Sequence, residues 1–291
     1  MNELAEGISL KTLHVLATTR ETLEISWQHR KVLALWIVGC TILTGGFCYL
    51  TEYLFAHFSW VYADWRSIWI RVFFIFLSVI PLSMVHAMFS VFCHRLVLMG
   101  GENESLYPIT FGKRERRFIG WEWFLYLATI LIVFLVLIVS DFVLGFLRNL
   151  FELHLNLDLI RAIVDPYLFA VLFYGVGTYA IAGYCLVLPA TAVDLKPSLA
   201  WSSEETKGNE LRLALFFGGL PFIFGFLYCP PSLLTWLQID QLMIVKHVVR
   251  PFLVYLVTPI NVIAISIAFR ELTNWTSSAV LEESVGKDLP N

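Results

Sequence analysis

Histidines and carboxylates set into apolar sequence are the residues of this chain that could do chemistry, as metal ligands, proton carriers or general acids and bases. Seven histidines are present: His14, His29, His57, His86, His94, His154 and His247. No pair has the H-E-x-x-H spacing that puts two imidazoles and a carboxylate on one helical face, so no metal site or other cofactor is expected. His86 and His94 share one apolar run and, on a helix, point roughly 80° apart. Ligation or proton relay is the sharper reading of that pair, and packing is the commoner one. Arg71, Glu122, Asp141 and Asp194 are costly at membrane depth, but all four fall near the ends of apolar runs. No G-x-S-x-G elbow, phosphate loop or dinucleotide fingerprint occurs. The run of residues 202–206, S-S-E-E-T, offers a nucleophile or phosphosite by type. More simply, Pro197 and Ser198 begin a short helix there, Glu204 and Glu205 face water, and Gly208 and Asn209 end it.

The elements that must carry these residues are membrane helices. The 291 residues are 58% hydrophobic and 15% aromatic, with a mean hydropathy of +0.73, above the roughly 45–50% apolar content of soluble domains. The expected fold is all-α, a polytopic membrane protein of about six transmembrane helices with short interfacial helices. The spans are expected at 32–55, 67–99, 119–146, 166–188, 211–237 and 248–269, each long enough to cross a hydrocarbon core of about 30 Å. An amphipathic lead-in over 1–31 precedes them, with Leu10, Leu13, Leu16, Leu23 and Trp27 at helical spacing, and is expected to lie on the membrane surface, with partner binding the less common role. A polar tail, 271–291, follows. The start carries Glu3 and Glu6 and becomes apolar only near Val32, which does not suit a cleaved leader.

Several features bear on packing. Gly45 and Gly46 let another helix approach the first span, and Gly175, Gly177, Ala180, Ala182 and Gly183 give the fourth a small-residue face. Pro81, Pro221, Pro230, Pro231, Pro251 and Pro259 predict kinks or divisions. Asn261 is expected to hydrogen-bond a neighbouring helix. Cys40, Cys48, Cys93, Cys185 and Cys229 have no C-x-x-C spacing and read as small apolar fillers. Trp60, Tyr62, Trp65 and Trp69 predict an interfacial turn, and the mixed stretch 148–165 an interfacial hairpin or short helix.

Net charge is only −3, so nucleic acid is not an expected partner; the placement of the charges says more. Lys113, Arg114, Arg116 and Arg117 crowd one loop end, where each basic residue contributes about 1 kcal/mol of attraction to an anionic membrane surface. With the N-terminus inside, Arg66, Arg71, Arg148, Arg161, Lys246 and Arg250 fall outside and the other fourteen of the 20 Lys and Arg fall inside. Both termini are therefore expected in the cytoplasm. A shift of 90 residues lays Leu96, Val97 and Leu98 on Leu186, Val187 and Leu188, Phe111 on Trp201, Glu115 on Glu205 and Arg117 on Lys207. That match hints at a repeated unit of helix plus basic, aromatic segment.

The segments H-R-L-V-L-M-G (94–100) and L-P-A-T-A-V-D (188–194), with Ser198, Trp201 and T-K-G-N (206–209), resemble a broad group of uncharacterised bacterial inner-membrane proteins. More distantly they are similar to the membrane-spanning region attached to some bacterial glycerophosphodiester phosphodiesterases. The resemblance covers about residues 71–217 and implies location in the bacterial cytoplasmic membrane and a bundle of six or so helices. It implies no activity, since the chain shows no soluble catalytic domain. The expected function is that of a non-enzymatic membrane protein engaging lipids or a protein partner, which includes a second copy of itself. Its contact residues are expected to be Lys113, Arg114, Arg116, Arg117, Trp201 and Lys207, on one cytoplasmic face. A transporter or channel for a small solute or lipid is the competing reading, and an intramembrane enzyme a third.

Overall fold

The computed structural model describes residues 12–57, 67–100, 111–151, 172–219 and 245–276. Every regular element among them is helical. In chain order they are α1 (Val15–Gln28), α2 (Arg30–His57), α3 (Ser67–Leu98), α4 (Lys113–Phe151), α5 (Thr178–Ala182), α6 (Val187–Ala192), α7 (Leu199–Glu205), α8 (Glu210–Ala214) and α9 (Arg250–Thr273). Single π-helical turns lead into α5, follow α8 and lead into α9.

Four stretches are long and apolar enough to cross a membrane: Arg30–Leu54, Val79–Leu98, Lys113–Val139 and His247–Thr273. They match the first, second, third and sixth expected spans. The fifth lies mostly outside the described residues, as do the aromatic turn near Trp60, the hairpin near residue 155 and Cys229. The 24 residues of α9 cover about 36 Å at 1.5 Å per residue.

Burial assigns these helices their places. Of the α9 span 67% is buried, against 17% of the α4 span, so α9 is the axis of the bundle and α4 lies at its rim. A helix apolar all round belongs inside, and α9 packs against α1, α2 and α3. One layer of that core holds Leu33, Ile37, Cys40, Phe89, Phe92, Cys93, Ile263 and Ile267, with Trp36 stacked on Phe89 and Phe92 at 6.0 and 5.3 Å. Cys40, Cys93 and Cys185 are buried fillers, as their setting predicts. The rim carries large apolar groups outward, including Leu35, Ile42 and Leu50 on α2 and Leu127, Leu131 and Phe134 on α4. Such rows of exposed apolar groups suit contact with hydrocarbon rather than water.

The expected fourth span is not one helix. Between α5 and α6 the ladder tightens, with Tyr184, Cys185, Val187 and Leu188 donating to carbonyls three residues back. Pro189 is one cause: it has no N–H for the Cys185 carbonyl and its ring crowds that turn, so the Leu188 N–H takes the carbonyl instead, at 3.2 Å. The Gly183 carbonyl then receives the hydroxyls of Ser202 at 3.1 Å and Thr206 at 2.9 Å. The S-S-E-E-T run thus folds as the short helix its composition predicts, α7, with Ser198 Oγ accepting from the Trp201 N–H at 3.1 Å. Two of its hydroxyls seal the break.

The lead-in helix turns most of its apolar row outward. Leu13 is buried and anchors beside Phe269 and Leu272, but Leu16, Leu23 and Trp27 face outward. The inward face carries Thr18 and Thr22, whose hydroxyls bond the carbonyls of His14 and Thr18 four residues back. Small residues whose hydroxyls are satisfied within their own helix let α1 lie close to α9, and an ion pair from Arg270 to Glu21 at 2.6 Å closes that contact. The buried Oδ1 of Asn261 has no hydrogen-bond partner among the described residues.

Candidate functional site at the basic end of the bundle

The end of α3, the start of α4, the end of α6, the end of α9 and the start of α1 converge at one end of the bundle. Three helix ends meet there on left-handed residues: Gly100 after α3 (φ 66°), Asp194 after α6 (φ 67°) and Asn274 after α9 (φ 53°). Left-handed backbone reverses the chain and lets its next N–H groups reach back to the last carbonyls. Leu195 N–H donates to the Ala190 carbonyl at 3.0 Å and Asp194 N–H to Thr191 at 3.1 Å. Trp275 N–H reaches Arg270 at 3.1 Å in the same way, and its indole N–H reaches the Leu98 carbonyl at 3.4 Å. Displaced by 90 residues, the break before α6 falls on an unbroken part of α3.

Asp194 is where the basic residues meet. Its carboxylate lies 3.1 Å from Arg114, 3.5 Å from Arg117 and 3.7 Å from Arg95. Helical spacing explains the set: Arg114 and Arg117 are three apart and share a face of α4, while Arg95 sits in the last turn of α3. Glu115 is buried, receives the Gly112 N–H at 2.8 Å and pairs with Arg114 at 2.9 Å. It thereby satisfies an N–H that α4 would otherwise leave open and fixes the Arg114 guanidinium.

Of the six contact residues expected from sequence, Arg114 and Arg117 are brought together on Asp194. Lys113 and Arg116 are exposed on the same turn of α4, and Lys207 is exposed on the turn after α7. Trp201 is half-buried and packs edge-on against Phe269 at 6.2 Å, so it serves the core of this end more than its surface. Sequence reasoning did not single out Arg95 or Glu115 as part of the set. It weighed Asp194 only as a charge near a span end. The available signal was the closing Asp of L-P-A-T-A-V-D, a residue type that tolerates left-handed backbone.

A second polar cluster lies deeper. His86 Nε2 is 3.0 Å from a Glu122 carboxylate oxygen, and the other oxygen, Oε2, is buried with no partner among the described residues. The Tyr255 ring centroid lies 6.2 Å from that of His86, and the Tyr255 hydroxyl shares a 2.8 Å hydrogen bond with Thr44. Glu122 was expected at the end of its span. Because α4 begins at Lys113, nine residues earlier, Glu122 sits about 13.5 Å along the helix. His94 goes elsewhere, its Nδ1 2.7 Å from Ser266 Oγ in the core, so the two histidines form no joint site. At the opposite end His247 Nε2 pairs with Glu52 at 3.0 Å. Among the described residues no three His, Cys, Asp or Glu side chains are grouped to hold a metal ion.

Guanidinium groups present planar, permanently charged donors suited to phosphate and carboxylate oxygens. The basic end is therefore fitted to bind an anion, and the deeper cluster to bind a proton or polarise a polar group. Compared with known proteins, the chain matches no family model, no curated protein and no solved structure.

Proposed function

We propose that this chain is an integral protein of the bacterial cytoplasmic membrane, with six spans and both termini cytoplasmic, and that its basic end engages anionic lipid headgroups without covalent chemistry. One observation carries this reading. Lys113 and Arg116 lie 18 residues before Leu131 and Phe134, which is five helical turns, and both apolar residues face outward. The exposed charges thus stand on the same face of α4 as its outward apolar residues, about 27 Å along the helix. Positive side chains at that place reach a headgroup layer whenever the apolar face above them lies in hydrocarbon.

The test is retention of anionic lipid by the full-length protein, purified in mild detergent and measured by mass spectrometry and liposome flotation. Changing Lys113 and Arg116 to Gln removes two charges worth about 1 kcal/mol each near such a surface, so preference for anionic lipid is expected to fall roughly 30-fold. An unchanged preference would overturn the reading.

A carrier for a small solute is the second reading, and the His86–Glu122 pair favours it. An ionisable pair within membrane helices, with one carboxylate oxygen unsatisfied among the described residues, is costly unless it is used. Proteoliposomes holding a pH-sensitive dye test it. Proton or solute flux that is lost in Glu122→Gln would support a carrier, and flux equal to that of empty vesicles would remove it.

A further inference from the structure

Asp194 occupies a position at which most side chains are disfavoured. It is the left-handed residue closing α6, where glycine is the usual choice because a Cβ meets the following carbonyl. Asn209 and Gly208 show how this chain handles a comparable turn, since it places the glycine at the left-handed position there, with φ 79°. Asn274 takes the same conformation after α9, and aspartate tolerates it too; what sets Asp194 apart is the three arginines around its side chain. Yet they hold it unevenly. Arg114 makes the shorter hydrogen bond at 3.1 Å and Arg117 a longer one at 3.5 Å, while Arg95 stands off at 3.7 Å. Tethered to a fixed turn of backbone, the carboxylate closes on Arg114 and more loosely on the other two. A lipid phosphodiester brings two free oxygens as well, set tetrahedrally at a larger radius and backed by two ester oxygens, and it is free to settle between all three.

We infer that Arg95, Arg114 and Arg117 form a phosphate site whose ligand is an anionic lipid headgroup, with Asp194 as the resident carboxylate that the headgroup displaces. Burial and charge agree with this. The Arg95 and Arg114 side chains are only 16% and 19% exposed, so the cradle is formed before a ligand arrives, whereas Asp194 at 56% can turn into water when displaced. Glu115 keeps Arg114 in place during the exchange. Three guanidiniums face two carboxylates, which leaves the cluster net positive and ready to accept one further anion. The inference rests on the headgroup reading and adds to it a defined pocket, distinct from the exposed Lys113 and Arg116, together with an internal competitor.

The experiment follows thermal unfolding of the full-length protein in neutral detergent. Soluble short-chain phosphatidylglycerol, short-chain phosphatidylcholine and inorganic phosphate are added at matched ionic strength. Phosphatidylglycerol is expected to stabilise the wild type and phosphatidylcholine is not. Asp194→Asn is expected to lower the half-saturating phosphatidylglycerol concentration about fivefold, the equivalent of ~1 kcal/mol for one surface charge. Arg95→Gln and Arg117→Gln are each expected to raise it by a similar factor. If Arg95→Gln does not fold, the more exposed Arg117→Gln and Asp194→Asn decide. Equal half-saturation in wild type and Asp194→Asn overturns the inference, and stabilisation by inorganic phosphate but not by phosphatidylglycerol overturns its lipid assignment. If Lys113→Gln with Arg116→Gln weakens the response while the cradle variants leave it unchanged, the headgroup reading stands and the pocket falls. If no variant changes it, both fall.

Discussion

A single methyl group at Gly45 tests how α2 crosses α9. A Cβ built there would overlap the backbone carbonyl oxygen of His247, whereas one built at the adjacent Gly46 meets nothing within 4 Å. The obstacle is backbone in the turn Val245–Val249, which runs directly into α9 and is tied to α2 through the His247–Glu52 pair. It cannot rotate away as a long side chain would. Overpacking of this kind costs typically 1–3 kcal/mol, while replacing glycine by alanine inside a helix otherwise gains about 0.5–1 kcal/mol. Gly45→Ala is therefore expected to destabilise and Gly46→Ala to stabilise slightly, a separation of about 1–3 kcal/mol between neighbouring positions, since the helix gain is common to both. Equilibrium unfolding in mixed micelles, followed by tryptophan fluorescence, measures both on the same footing. If Gly45→Ala proved as stable as Gly46→Ala, the close crossing of α2 and α9 would be wrong.

Other contacts give sharper or weaker expectations by the same physics. His94→Ala removes a buried ring from between Phe118 and Ser266 and is expected to cost about 2–4 kcal/mol as cavity plus lost hydrogen bond, read in the same unfolding assay. Asn209 is buried and its Oδ1 accepts from the Leu13 N–H at 2.9 Å and from Arg212 at 3.0 Å. Asn209→Ala should lower stability by about 1–3 kcal/mol and raise hydrogen exchange at Leu13 above all. Replacing both Ser202 and Thr206 by Ala strips the Gly183 carbonyl of its two hydroxyl donors and is expected to cost about 1–3 kcal/mol. Glu21→Gln, by contrast, breaks a pair about one-third exposed on each side and so screened by solvent; the expected loss is under ~1 kcal/mol and shrinks as salt is added.

The amino-acid sequence by itself determined that the chain builds long apolar helices. Apolar content and run length are local properties, and α2, α3, α4 and α9 fall where those runs are. Local chemistry also gave the short helix begun by Ser198 and the crowding of Lys113, Arg114, Arg116 and Arg117 at one helix start. Helix neighbours were not legible, because hydropathy says which residues leave water and not which face meets protein rather than lipid. The apolar spacing of α1 marks a row that leaves water, but only the fold shows that Thr18 and Thr22 are buried while Leu16 faces outward. The break before α6 needed Pro189, which the sequence displays, together with hydroxyls from Ser202 and Thr206, which only folding brings to Gly183. The same holds for both polar clusters. Arg95, Arg114 and Arg117 meet Asp194 across as many as 99 residues, and His86 meets Glu122 across two helices, through contacts that depend on how helices cross and rotate. Composition sets how much surface each helix must hide, and the tertiary structure alone decides which residues it hides together.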